Sequence, residues 1–213
     1  MEIKWLGHSS FLITDSHGKS ILTDPFNASI GYETFKGKVD LVTISHHHFD
    51  HNFTKDIMVA DNNILSRAGL FNICDIPILG IPSYHDKVQG TKRGDNIIFI
   101  FHMDGYRLCH LGDLGFVLSK EEVSKLGNID ILFIPVGGNY TLDGKEAFQL
   151  SKLINSHIII PMHYKTPNLS FPLDGLDMFL SYIKNADKIN NNYIKITGDI
   201  SDMSNKVKIL DYK

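Results

Sequence analysis

Four histidines and one aspartate are packed into the stretch Ser45-His46-His47-His48-Phe49-Asp50-His51. The stretch directly follows Leu41-Val42-Thr43-Ile44, a short apolar run that predicts a buried strand. In extended backbone the side chains of residues i and i+2 point the same way. His46 and His48 can therefore present their imidazoles to one cation, while His47 faces elsewhere.

Asp50 and His51 come one turn later, where we expect a helix to begin, and both can reach a second cation beside the first. The alternative is a polar loop whose histidines cluster without any ligand. That alternative is unfavourable, because crowded imidazoles and a carboxylate are costly to pair with one another. The pattern therefore indicates a metal-binding segment.

Three more candidate ligands, His85, Asp113 and His163, each stand close to the end of another β-rich run. Alone, each would be a weak candidate, because a histidine or aspartate after a strand is more often a hydrogen-bonded loop residue. Side chains placed past strand ends can converge on one edge of a sheet. Together with the histidine cluster, they predict a metal site at such an edge.

The composition is that of a globular protein. At 213 residues with 43% hydrophobic content, the chain can bury a sizeable core, and we expect a single domain over residues 1–213. The formal net charge of -3 provides no basic field for phosphate backbones, so we expect no nucleic-acid partner. The two cysteines form no CxxC pair, and we see neither a signal peptide nor a membrane span. We therefore expect a cytoplasmic protein without a membrane partner.

The order of elements predicts a mixed α/β or α+β sandwich. Short strands open the chain in an antiparallel arrangement, and later strands alternate with helices. Capping-box patterns predict helix starts at Ser119 and Asp143, and Gly127 is the expected end of the first helix. A third helix is predicted from about Asp174 to Ala186, with a helical stripe of apolar residues.

The ordered motifs of the whole chain resemble those of the metallo-β-lactamase-fold superfamily, and more narrowly its Zn-dependent hydrolase branch, which is similar to the ascorbate-6-phosphate lactonases. The resemblance is carried by HxHxDH at residues 46–51 together with Trp5-Leu6-Gly7-His8-Ser9-Ser10, Thr23-Asp24-Pro25, Ser83-Tyr84-His85-Asp86, His110-Leu111-Gly112-Asp113-Leu114-Gly115, Pro135-Val136-Gly137-Gly138 and Pro161-Met162-His163-Tyr164. It implies a four-layer αβ/βα sandwich with a dinuclear site at the edge shared by the two sheets. The chain is much shorter than the lactonases.

The resemblance also implies a ligand for each metal position. The first metal would be bound by His46, His48 and His85, the second by Asp50, His51 and His163, and Asp113 would bridge the two. The two carboxylates of this set, Asp50 and Asp113, are the expected catalytic residues.

Other residues are candidates for supporting this chemistry. Asp24 is predicted either to orient a ligand imidazole or to form an Asp-Pro turn. His8 can line the site or assist the leaving group, although a buried, hydrogen-bonded structural role is favoured for it, and His110 is expected to support the ligands or to be structural. Tyr140, Lys165 and Arg93 are candidate substrate contacts.

Five imidazoles and two carboxylates suit two divalent ions, with Zn²⁺ as the default and Mn²⁺, Fe²⁺, Co²⁺ or Ni²⁺ as alternatives. Two such ions would lower the pKa of a shared water from about 15.7 toward about 7, making hydroxide available as the nucleophile. We therefore expect a hydrolase that acts on a small ester, lactone, amide or phosphodiester.

Three other functions remain open at this point. They are an iron-dependent redox protein on the same ligands, a nuclease or phosphodiesterase, and a metal-dependent sensor without turnover. If the protein is a hydrolase, its expected partner is a small-molecule substrate. A homo-oligomer is also possible.

Overall fold

Two large β-sheets dominate the protein, whose structure is a computed structural model that describes residues 1–212. The strands within those residues are β1 Glu2–Gly7, β2 Ser10–Thr14, β3 Ser20–Thr23, β4 Gly37–Lys38, β5 Leu41–Thr43, β6 Ile57–Met58, β7 Ile64–Leu65, β8 Gly69–Ile73, β9 Ile76–Tyr84, β10 Asp95–Met103, β11 Tyr106–His110, β12 Ile131–Pro135, β13 Ile158–Met162, β14 Ala186–Lys188, β15 Tyr193–Lys195 and β16 Lys206–Ile209. The helices are α1 Lys120–Leu126, α2 Gly144–Ile154 and α3 Asp177–Ser181, with single 3₁₀ turns at Ala28–Ile30 and Asp61–Asn63.

The strand order brings many carboxyl ends to one edge of each sheet. The first sheet has the order β15-β1-β2-β3-β5-β7, and the second has the order β14-β16-β13-β12-β11-β10-β9-β8. In the first sheet β2 is antiparallel to both β1 and β3, and β3 is parallel to β5, so β1, β3 and β5 all end at the same edge. In the second sheet β10 is antiparallel to β9 and β11, and β11, β12 and β13 are parallel, so β9, β11, β12 and β13 also end together.

The main core lies between the two sheets. Alternating residues of the first sheet, such as Phe11 and Ile13, are fully buried against Phe99 and Phe133 of the second. The rings of Phe11 and Phe133 lie 4.6 Å apart, which is direct contact between the sheets. The mixed α/β sandwich predicted from the sequence is therefore confirmed.

A smaller core covers the other face of the first sheet. Leu22 and Val42 follow the inward-facing Ile21 and Leu41 in sequence and point away from the main core. They pack with residues from the two-stranded β4–β6 sheet and its flanks, including Ile57. Both faces of the first sheet are thus apolar and covered.

Two of the predicted helices form with the expected capping boxes. Ser119 accepts from the Glu122 amide at the start of α1, and Gly127 follows its last residue. Asp143 accepts from the Glu146 amide at the start of α2. No helix within residues 1–212 has the length and apolarity needed to cross a membrane.

Two predictions about helices were wrong. No helix begins at Asp50; the chain makes one turn there, and the Phe53 amide then donates to the Pro25 carbonyl instead of to a preceding turn. The third helix is confined to Asp177–Ser181. Both backbone groups of Asp174 bond to other segments, so no helix starts there, and residues 186–188 pair with β16 as a strand.

Replacing Phe133 with alanine should leave a cavity between the sheets. We expect F133A to lower the free energy of unfolding by about 3–5 kcal/mol, the range for deleting a buried aromatic ring. The measurement is urea denaturation followed by circular dichroism. Leu153, which is 41% exposed on α2, provides the control, and L153A should change stability by no more than about 0.5 kcal/mol. Equal effects of the two substitutions would contradict this description of the core.

Candidate metal centre

The predicted ligands meet at the edge where the carboxyl ends of both sheets come together. From the first sheet, β1 leads to His8, β3 to Asp24 and β5 to the stretch at residues 46–51. From the second sheet, β9 leads to His85, β11 to Asp113 and β13 to His163. The centre is therefore assembled from loops at the ends of six strands, three from each sheet.

Two compact groups of ligand atoms lie side by side at this edge. One group contains His46, His48 and His85, and in each group every ligand atom lies within 4.8 Å of the others. The second group contains His8, Asp50, His51 and His163. The two groups contain six of the seven predicted ligands, and His8 joins the second group; the seventh, Asp113, forms a further group with His46 and His51.

The Asp113 carboxylate stands between the two groups. Its Oδ2 atom is 3.1 Å from His85 Nε2 and 3.8 Å from His46 Nε2 in the first group. The same oxygen is 3.0 Å from His163 Nε2 and 3.3 Å from His51 Nε2 in the second. One oxygen atom is therefore shared by side chains of both groups.

This crowding fits bound cations better than hydrogen bonding among the side chains. A carboxylate oxygen has two lone pairs and cannot accept from four imidazoles at once. The Nε2 atoms of His46 and His51 are buried and have no hydrogen-bond partner among residues 1–212. Buried polar atoms are rarely left without a partner, and aligned imidazole and carboxylate groups are the ligands that divalent transition metals favour. The residues present therefore fit a metal.

Asp24 fixes the position of His51 from behind. Its Oδ2 atom is 3.1 Å from His51 Nδ1, and the same carboxylate accepts from the Ser45 amide and hydroxyl, each at 2.7 Å. The Ser45 hydroxyl in turn lies 2.9 Å from His46 Nδ1. Asp24 and Ser45 thus hold one imidazole of each group by the nitrogen that faces away from the centre. Ser45 was not identified from the sequence.

His8 contacts the second group directly. Its Nε2 atom is 3.1 Å from Asp50 Oδ2, and its ring lies 4.2 Å from that of His163. The backbone carbonyl of His8 accepts from the Trp5 indole and from the His163 amide, which ties the loop after β1 to the loop after β13. His8 is fully buried, and its fixed position makes it part of the centre.

The electrostatics favour deprotonated carboxylates. Burial alone would raise the pKa values of Asp113 and Asp50, but the surrounding histidines hold both below the usual range. Burial, reinforced by neighbouring histidines, lowers the pKa of His46 to about 2 and that of His8 to about 4. Ionised carboxylates and neutral imidazoles are the forms that bind metals.

His51 is the exception among these imidazoles. Burial disfavours its charged form, yet the carboxylates of Asp113, Asp24 and Asp50 outweigh burial and raise its pKa well above the usual value. The three carboxylates thus favour a positive charge at this position. A metal ion would supply the same charge.

The backbone of the centre is unusual at several points. His8, Asp24 and His163 all adopt positive φ angles, of 52°, 39° and 51°. Such conformations cost about 1–3 kcal/mol each for residues other than glycine and concentrate at functional sites. Gly137 allows the close approach beneath His163, because a Cβ atom there would lie 2.2 Å from the His163 carbonyl oxygen.

The other predicted site residues are placed in different roles. His110 lies 2.8 Å from the Ser9 carbonyl through Nε2 and accepts from the Gly112 amide through Nδ1, so it joins two loops without facing the ligand groups. The Lys165 ammonium donates to the carbonyls of Leu169 and Phe171, and its charge is used within that loop. Tyr140 lines the same cavity as several of the predicted ligands.

An open cavity of about 290 Å³ lies directly over the ligands. Its floor is formed by ligand side chains from both groups, including Asp50 and Asp113. Its walls are Arg93 and Tyr140 together with two phenylalanines, Phe49 and Phe171, that the sequence did not single out. Phe49 is an apolar residue within the histidine stretch, but nothing in the sequence near Phe171 indicates its place beside the predicted ligands.

Comparison with known proteins agrees with this geometry. A family model for the β-lactamase superfamily domain matches residues 2–163, which include every predicted ligand. A UPF0173 metal-dependent hydrolase from Archaeoglobus fulgidus is 30% identical over 204 residues, with 81% of this chain and 85% of the relative covered. A solved structure from Thermotoga maritima, described as a Zn-dependent hydrolase of the metallo-β-lactamase superfamily, superposes with a TM-score of 0.82 at 34% identity and covers 98% of this chain and 97% of its own.

A more distant structure shares the fold alone. A metal-dependent hydrolase described from Parabacteroides distasonis superposes with a TM-score of 0.69 at 21% identity and covers 99% of this chain and 93% of its own.

The chain belongs to the metallo-β-lactamase superfamily. Within that superfamily it belongs with the UPF0173 metal-dependent hydrolases. The narrower likeness to ascorbate-6-phosphate lactonases stays a prediction.

Removing the charge of Asp24 should loosen metal binding without removing a ligand. In D24N one oxygen of the carboxylate is replaced by an amide, so the interactions with His51 and Ser45 cannot all be kept. We expect metal affinity to fall about 10–100-fold, as for other partners of ligand histidines. Competition with a chromogenic chelator measures the affinity.

Asp40 offers a matched control, because its carboxylate also accepts from a serine amide and hydroxyl, those of Ser20. D40N should leave metal affinity unchanged. A D24N protein with wild-type affinity would show that Asp24 only shapes its turn.

Proposed function

We propose that this protein is a dinuclear metal-dependent hydrolase of small molecules. The observation that carries the proposal is the position of Asp113 Oδ2 within 3.8 Å of imidazoles from both ligand groups. In the proposal His46, His48 and His85 hold the first ion, Asp50, His51 and His163 hold the second, and Asp113 contacts both. The names of the relatives, which are metal-dependent hydrolases, support the same class of activity.

The donor chemistry favours zinc. Five imidazoles, two carboxylates and no thiolate make a borderline set that Zn²⁺ accepts readily, and the Thermotoga maritima protein is described as Zn-dependent. When bound, a pair of such ions would lower the pKa of a coordinated water and polarise the carbonyl or phosphoryl oxygen of the substrate.

The protein side chains have separate tasks in this proposal. Asp24 keeps the His51 ring in place by accepting a hydrogen bond from its Nδ1 atom. His8 keeps the Asp50 carboxylate in place through a hydrogen bond from its Nε2 atom. Both partners are buried, so water does not compete for these contacts. The ligands are held before a metal arrives, which reduces the cost of organising the site.

The cavity over the ligands supports a small substrate. Its volume of about 290 Å³ lies just below the range for small-molecule pockets, roughly 300–1,000 Å³. Esters, lactones, amides and phosphodiesters of this size all present an oxygen that a metal centre can polarise. We place the substrate of this protein among them.

The purified protein should carry close to two metal equivalents per chain. We expect H48A and D113A each to remove most of the metal and to lower hydrolysis of a reactive ester by at least about 100-fold, because each loses a direct ligand. Metal content is measured by plasma mass spectrometry, and hydrolysis by release of 4-nitrophenol.

His47 is the matched control, because it lies between two proposed ligands and is exposed. H47A should keep both the metal and the activity. Full metal content and activity in H48A would contradict the proposal. Visible iron absorption with oxygen uptake, in place of metal-dependent hydrolysis, would instead identify a redox protein on the same ligands.

A further inference from the structure

The loop between β9 and β10 is held rigidly over the centre. The Asp86 carboxylate accepts from the backbone amides of Val88, Gly90, Lys92 and Arg93 at 2.8–2.9 Å. The His85 amide closes the loop by donating to the Gly94 carbonyl. Because this loop follows the ligand His85 directly, its side chains have fixed positions relative to the proposed metals.

Arg93 projects from this loop onto Tyr140. The guanidinium carbon lies 4.3 Å from the centre of the Tyr140 ring, a cation–π contact that orients the planar group. Tyr140 comes from the loop after β12, so the pair spans two strand ends of the second sheet. Both residues line the cavity over the ligands and also a neighbouring cavity of about 390 Å³.

The positive charge of Arg93 is available for a ligand. Within residues 1–212 its guanidinium forms no ion pair and no hydrogen bond, and no other lysine or arginine lines the cavity over the ligands. The nearby Lys87 is paired with Glu146. Arginine binds the oxygens of a carboxylate or phosphate through two parallel hydrogen bonds, which suits such a position.

Two phenylalanines form an apolar wall of the same cavity. Phe49 is 57% exposed although it lies between proposed ligands, and its ring packs edge-on against Phe171 at 5.9 Å. The centre of the Phe171 ring also lies 5.6 Å from that of the His8 ring. Phe171 is partly buried, so the open aromatic surface is mainly that of Phe49, and such a surface gains free energy when an apolar group covers it.

From these contacts we infer that the substrate is a small anionic ester or amide whose carboxylate or phosphate pairs with Arg93 and whose apolar part lies on Phe49 and Phe171. The inference rests on the proposed function, because it concerns the substrate of the same centre. It assigns Arg93 as a specificity-determining residue, with Tyr140 as the residue that positions it.

Binding of matched probes to the zinc-loaded protein tests the inference. The probes are phenylacetate and phenylphosphonate, which distinguish a carboxylate from a phosphate source, the neutral phenylacetamide, and acetate, which lacks the ring. By isothermal titration calorimetry we expect at least one aromatic anion to bind at least about tenfold more tightly than either phenylacetamide or acetate. The anion that binds more tightly shows whether the substrate group recognised by Arg93 is a carboxylate or a phosphate.

Substitutions then distinguish the contribution of Arg93 to anion binding from that of the metals, because the metals also attract anions. R93Q should weaken binding of the preferred anion about 10–100-fold and leave the affinity for phenylacetamide unchanged. The affinity of R93K for the anion should lie between those of R93Q and the wild-type protein. K92Q removes the same charge from the neighbouring residue of the loop and should change affinity by less than about twofold. F49A should weaken binding of the aromatic anion and leave the affinity for acetate unchanged.

Two results would overturn the inference. One is equal affinity of R93Q and the wild-type protein for both anions, and the other is failure of the wild-type protein to prefer either anion over phenylacetamide. Ester hydrolysis and metal content are measured on the same wild-type sample. Metal-dependent hydrolysis without any effect of Arg93 would contradict only the substrate class, whereas a protein without metal or turnover would contradict the proposed function itself.

Discussion

A single oxygen of Asp113 surrounded by four imidazole nitrogens is the constraint on which the rest of the structure depends. These side chains come from both sheets, so the sheets must pack in one register for the nitrogens to converge. This convergence requires backbone strain, because His8, Asp24 and His163 adopt positive φ angles. The buried aromatic contact between Phe11 and Phe133 stabilises the packing that these strained loops require.

The convergence of the candidate ligands could be predicted from the sequence because residue spacing and strand ends are local properties. The alternation of His46 and His48 on extended backbone requires no tertiary information. The placement of His85, Asp113 and His163 after apolar runs then predicts convergence once the strands are parallel, as they are here. Capping boxes at Ser119 and Asp143 predicted α1 and α2 for the same reason, because the interacting groups are three residues apart.

Features that depend on contacts between distant segments could not be predicted in the same way. The turn at Asp50 was expected to start a helix, but the Pro25 carbonyl takes the Phe53 amide. Lys165 was a candidate for binding substrate, yet its ammonium is held by carbonyls of its own loop. The contact of Arg93 with Tyr140 and the place of Phe171 depend on how separate loops fold over the centre.

The distribution of ligands over both sheets has a consequence for the stability of the whole chain. In the proposed assignment the second ion joins Asp50 and His51 of one sheet to His163 of the other, as a covalent cross-link would. Cys74 and Cys109 are both free, so no disulfide supplies such a link within residues 1–212. Under that assignment binding energy at the centre would also be folding energy, and resistance to proteases and heat would rise and fall with the supply of metal in the surrounding medium.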